Sequence, residues 1–93
     1  MVVGICKIRL SFRQARSLKD KRQALRKIKD KMKSRFNISV AEVDEHDYHQ
    51  TAQLGLAVAA ADAPHADSQM AAAINMVSME AEIADVSTEI ITV

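Results

Sequence analysis

An α+β sandwich, with one four-stranded antiparallel sheet and two helices on one of its faces, is predicted by three observations. Segments at the start of the chain and after residue 51 alternate between apolar and polar residues. Two long stretches carry apolar residues at helical spacing. The order is strand, helix, strand, strand, helix, strand, two split crossover units that close into one sheet. The 93 residues suffice for one domain, residues 1–93, with a single thin core.

Val2 to Phe12 is the first strand. Val2, Cys6, Ile8, Leu10 and Phe12 share one parity, and Lys7, Arg9 and Ser11 share the other, so one face is buried. Gly4 falls on the buried parity, where close approach of a helix backbone is expected. Ser17-Leu18-Lys19-Asp20 resembles a capping box with Asp in place of Glu. Leu18, Leu25, Ile28, Met32 and Phe36 then recur at helical spacing with Ala24 beside them, predicting a helix from Leu18 to Arg35. Asn37, which tolerates the left-handed conformation, is expected to close it.

Ile38 to Asp44 is short and β-branched, a strand whose buried face is either Ile38/Val40 or Ala41/Val43. After a polar connection, Ala52 to Ala61 alternates again, with Leu54, Leu56, Val58 and Ala60 on one parity. Asp62-Ala63-Pro64 reads as a capped helix start. The second helix is predicted to run to about Ala81 with a buried stripe of Ala66, Met70, Ala73, Ile74, Val77 and Ala81. Ala72, Met76 and Met79 fall on its opposite side. Ile83 to Val93 is a last strand, expected at a sheet edge, with Ala84, Val86, Thr88 and Ile90 on one parity. Right-handed crossovers place both helices on one sheet face. This is the ferredoxin-like sandwich.

Composition excludes several function classes. One cysteine allows neither an internal disulfide framework nor an all-cysteine zinc site. No apolar run nears the ~18 residues of a membrane span, and no secretory leader precedes the first strand, so a cytoplasmic protein is expected. No cofactor motif occurs, and no cofactor is expected. The net charge of +1 conceals a complete segregation. All 13 Lys and Arg lie between Lys7 and Arg35, and residues 1–35 sum to +11. Residues 36–93 hold no Lys or Arg and sum to −10.

Three stretches carry a family resemblance. They are Arg16-Ser17-Leu18-Lys19-Asp20-Lys21-Arg22, then Phe36 to Asp44, then Leu54-Gly55-Leu56-Ala57-Val58. With them the chain resembles, over nearly its whole length, the YlxP-like small bacterial proteins, a domain of unknown function. That resemblance implies a ferredoxin-like fold. Through genes neighbouring those of translation initiation and ribosome maturation, it also implies an RNA-linked or ribosomal role. It implies no catalytic residue.

On a helical wheel, Lys19, Arg22, Arg26, Lys29 and Lys33 fall on one flank beside the buried face, with Lys27 and Lys31 further out. Arg13, Arg16, Ser17 and Lys19 gather at the helix start, where free N–H groups and the dipole favour phosphate. Segregated cations of this kind predict contact with an RNA phosphate backbone, with Lys7 and Arg9 on the open sheet face as additional contacts. That face, Val3, Ile5, Lys7, Arg9, Gln53, Gly55, Ala57 and Ala59, has no aromatic residue for base stacking. Its small residues suit a second sheet, so the alternative is a homo-oligomeric module joined through it.

Asp44, Glu45, His46, Asp47 and His49 are potential metal ligands, yet they lie in one polar connection and no metal site is expected there. His65 is expected at the surface. Cys6 is on a buried parity and is expected to be structural. An acylphosphatase-like activity is disfavoured, because the bridge Arg13-Gln14-Ala15-Arg16 lacks the glycines of a phosphate cradle. A non-enzymatic accessory protein is the expectation.

Overall fold

A computed structural model describes every residue from Met1 to Val93. The elements are β1 (Val2–Ser11), α1 (Leu18–Arg35), β2 (Ser39–Asp44), β3 (Thr51–Ala60), α2 (Ala63–Glu80) and β4 (Glu82–Thr92). The sheet order is β2-β3-β1-β4, every pair antiparallel, with β2 and β4 at the edges. This is the predicted ferredoxin-like arrangement. α1 packs over β2, α2 over β1, β3 and β4, and the second sheet face is bare. No helix is long and apolar enough to cross a membrane.

The core lies between the sheet and the helices. β1 contributes Val2, Cys6, Ile8 and Leu10, and β3 contributes Ala52, Leu54, Leu56 and Val58. Leu25, Ile28 and Met32 cover them from α1, and Ala66, Met70, Ala73 and Val77 from α2. Burying each larger side chain contributes ~1.5–3 kcal/mol. The period-two and period-3.6 patterns meet here as the two walls of one apolar layer.

Four local expectations are corrected. Gly4 faces side chains instead of a helix backbone: an added Cβ would lie 2.9 Å from Val58 Cγ1 and 3.0 Å from Met70 Sδ. Asn37 does not close α1 in a left-handed conformation; Phe36 is the extended C-cap, donating its N–H to Met32 O. The one residue at positive φ is Glu45, at 62°. Met76 is buried, because the α2 stripe is wide enough to reach it, so no exposed Met76–Met79 cluster exists. In β4 a bulge opposite Arg9 and Leu10 inserts Ala84. Ile83 therefore joins Val86, Thr88 and Ile90 on the helix side, and Ala84 leaves that set.

The ambiguity in β2 is also decided. Ile38 is buried and Val40 half-buried, and Glu42 follows them inward, while Ala41 and Val43 are exposed on the bare face. Val43 lies across Gly55, where any side chain would meet Val43 Cγ1 at 2.8 Å.

Candidate nucleic-acid interface

α1 starts at Ser17, whose Oγ accepts from Asp20 N–H at 3.2 Å. Asp20 Oδ2 in turn accepts from the Arg16 N–H at 3.0 Å, one residue before the position a capping box would use. The expected phosphate site at this helix terminus is thus filled by the chain's own carboxylate. Ser17 serves as a cap.

The helix has two flanks of different character. The flank facing α2 holds Lys31, which donates to Glu80 Oε1, and Lys27, 3.6 Å from Glu80 Oε2. These contacts hold the Glu80 carboxyl below its usual pKa, the Lys31 hydrogen bond most strongly. The other flank holds Lys19, Arg22, Arg26, Lys29 and Lys33 along ~21 Å of helix. None of the five, nor Arg16, has a carboxylate within ion-pair distance. Lys29 is half-buried and the others are exposed. Each like-charged i,i+4 pair in the row costs a few tenths of a kcal/mol, which bound anions would relieve.

Three expected contacts lie elsewhere. Arg13 turns toward the start of β4 and pairs with Glu82 at 3.0 Å. Arg9 and Lys7 lie on the bare sheet face, across the sheet from α1. Arg9 donates to both oxygens of Glu45, at 2.8 and 3.2 Å, which raises the guanidinium pKa. The continuous cationic row is therefore Arg16 with the five side chains of the free flank.

Lys21 is the residue that pattern reading misses. Its side chain is fully buried. Nζ donates to the carbonyl oxygens of Glu45 at 2.8 Å, Thr51 at 3.1 Å and His46 at 3.2 Å, and lies 3.3 Å from Glu42 Oε2. The three carbonyls take the three N–H groups of the ammonium and tie the β2–β3 loop to α1, and Glu42 balances its charge without a hydrogen bond. A signal is present: Lys21 continues the apolar series Leu18, Leu25, Ile28, Met32 at spacing three and four. Gln50 fastens the same loop to the β1–α1 bridge, donating to the carbonyls of Arg13 and Ala15.

The acidic loop groups serve the turn. Asp44 Oδ1 accepts from the Glu45 N–H, Glu45 holds Arg9, and the His46 ring nitrogen meets the Glu42 carbonyl. Burial pushes the Cys6 thiol pKa up, opposite to what a nucleophile needs. His65 sits at the surface against Asp62, whose carboxyl its backbone and ring N–H groups hold low. A cavity of ≈ 490 Å³ beside the β1–α1 bridge is lined by Asp20, Glu80 and Glu82 as well as Arg13, a carboxylate-rich wall that repels phosphate.

Residues 3–90 match the family described as "Protein of unknown function (DUF503)". The chain belongs to the DUF503 family. No curated protein matches this DUF503 chain. Among solved structures it is similar to the de novo designed protein Foldit4, at 13% identity and TM-score 0.57, covering 99% of this chain and 97% of that one. It is also similar to the de novo designed protein Ferredog-Diesel, at 13% identity and TM-score 0.53, covering 96% and 84%. Both likenesses concern the fold of the DUF503 domain alone.

Proposed function

We propose that this DUF503 protein is a non-enzymatic accessory protein that binds RNA, free or within ribosomal particles, through the free flank of α1. The observation that carries the reading is the division of charge. The chain's carboxylates engage Arg9, Arg13, Lys21, Lys27 and Lys31, while the row Arg16, Lys19, Arg22, Arg26, Lys29 and Lys33 is left without one, as are Lys7 and Arg35 outside it. Internal neutralisation of the basic segment is thereby confined to other side chains. Within DUF503, the Arg16–Arg22 string supports a YlxP-like, bacterial, cytoplasmic member.

The test is a salt titration of affinity for a single-stranded RNA. Six neutralised phosphates give log K against log salt a slope of about −4. A flat response would overturn the reading.

A second reading rests on the bare sheet face. A shallow apolar depression of ≈ 320 Å³ there is lined by Ile5, Ala41, Val43, Gly55 and Ala57, with Val43 46% exposed. At the usual strand rise and spacing, the sheet spans roughly 600 Å² in plan, below but near the ~800 Å² per partner of a stable interface. A second copy stacking on this face is expected to give a dimer mass in solution at micromolar concentration. A monomer across salt would remove this reading.

A further inference from the structure

Tyr48 is the one strongly exposed aromatic side chain, at 62%; Phe12 and Phe36 both pack against the core. It sits on the β2–β3 loop, and the loop is held firmly. Glu45 O accepts from the Tyr48 N–H at 3.2 Å and, at the same oxygen, from Lys21 Nζ at 2.8 Å. The Tyr48 backbone is therefore joined through Glu45 O to the tip of the Lys21 side chain, which springs from α1 at the residue preceding Arg22 of the free cationic flank. Arg9 braces Glu45 from the sheet side, and Gln50 anchors the loop's far end. Hydrogen bonds that hold the loop backbone fix the point from which the ring projects before any ligand arrives, which lowers the cost of binding.

The loop's charge decides what the ring can take. Tyr48 borders an open cleft of ≈ 400 Å³ with Asp44, Glu45, His46 and Asp47. The Glu45 carboxylate is neutralised by Arg9, but Asp44 and Asp47 have no cationic partner. These carboxylates repel a phosphate, so the backbone cannot run over the loop. A base, uncharged and offering N–H donors to carboxylate oxygens, meets no such penalty.

We infer that Tyr48 is a stacking platform for an unpaired RNA base, placed at the N-terminal end of the cationic row that holds the backbone. The inference rests on the RNA reading above and narrows its ligand to a single-stranded segment, since bases in a duplex are not free to splay onto a side chain.

The experiment compares a mixed-sequence 12-nucleotide RNA with the duplex formed by adding its complement. Both are titrated against the wild-type protein, Tyr48→Ala and Tyr48→Phe at one salt concentration. Tyr48→Ala is expected to weaken single-strand binding roughly 5- to 150-fold, to leave duplex binding unchanged, and to be rescued by Tyr48→Phe. Removing an exposed ring leaves the fold intact, which the far-ultraviolet spectrum checks. Single-strand affinity equal to wild type in Tyr48→Ala would overturn the stacking inference and leave the phosphate reading standing. Absence of binding to either RNA by the wild-type protein would end both.

Discussion

Replacing Arg22, Arg26 and Lys29 together by glutamate is expected to abolish RNA binding while leaving helical content unchanged. The three side chains sit mid-row on the free flank of α1, with no carboxylate to compensate for their loss. If each contact contributes even ~1 kcal/mol, losing three weakens binding by ~100-fold or more. The new carboxylates then add repulsion where attraction stood. Whatever binding persists should show a salt slope shallower by about two to three. The fold should lose little, since Arg26→Glu sets like charges at i,i+4 with Asp30 at a cost of only a few tenths of a kcal/mol. The three residues contribute nothing to the apolar core, and the Lys29→Glu change turns the like-charged i,i+4 pair with Lys33 into an opposite one. The control is the reversal of Lys27 and Lys31, which should disturb the Glu80 bridge to α2 and leave most of the affinity. Equal loss in both variants would show that the row has no special role.

The largest effect on stability is expected from Lys21→Met. The substitution keeps the length of the stem and removes the ammonium. It leaves Glu42 as a half-buried carboxylate without its cation, and it strips a donor from the carbonyls of Glu45, His46 and Thr51. Breaking a buried pair from one side costs about 3–5 kcal/mol, against a total stability of ~5–15 kcal/mol for a domain. Urea unfolding should show the midpoint falling by about a fifth or more of its value. Adding Glu42→Met should recover part of the loss, because the orphaned charge is gone while the carbonyls still lack a partner. A single variant as stable as the wild type would mean that water replaces Nζ without cost. Partial unfolding confined to the β2–β3 loop would also free Tyr48, so weakened single-strand binding in this variant would link the buried lysine to the proposed platform.

The patterned parts of the chain were legible in the sequence. α1 begins and ends at the predicted residues because a cap at Ser17 and an uninterrupted 3.6-residue period specify a helix locally. The alternations of Val2–Ser11 and Thr51–Ala60 marked the two central strands and their buried faces. The bare face, free of aromatic residues, followed from the same parity. What failed were features set by neighbours distant in sequence. The Ala84 bulge depends on how β4 meets Arg9 and Leu10, and a one-residue insertion moves Ile83 to the other side. The width of the α2 stripe, and with it the burial of Met76, depends on how deeply the helix sits on β1 and β3.

The candidate interface divides in the same way. One-dimensional order determined that the cations are segregated and that five of them share a helix flank, because charge counts and angular spacing are properties of the chain itself. Which of them remain available was decided only by folding. Glu80 reaches Lys27 and Lys31 from 49 or more residues away, Glu82 takes Arg13, Glu45 takes Arg9, and Glu42 meets Lys21 inside the protein. An ion pair forms between groups that the fold brings within a few ångströms, and their separation along the chain carries no information about that distance.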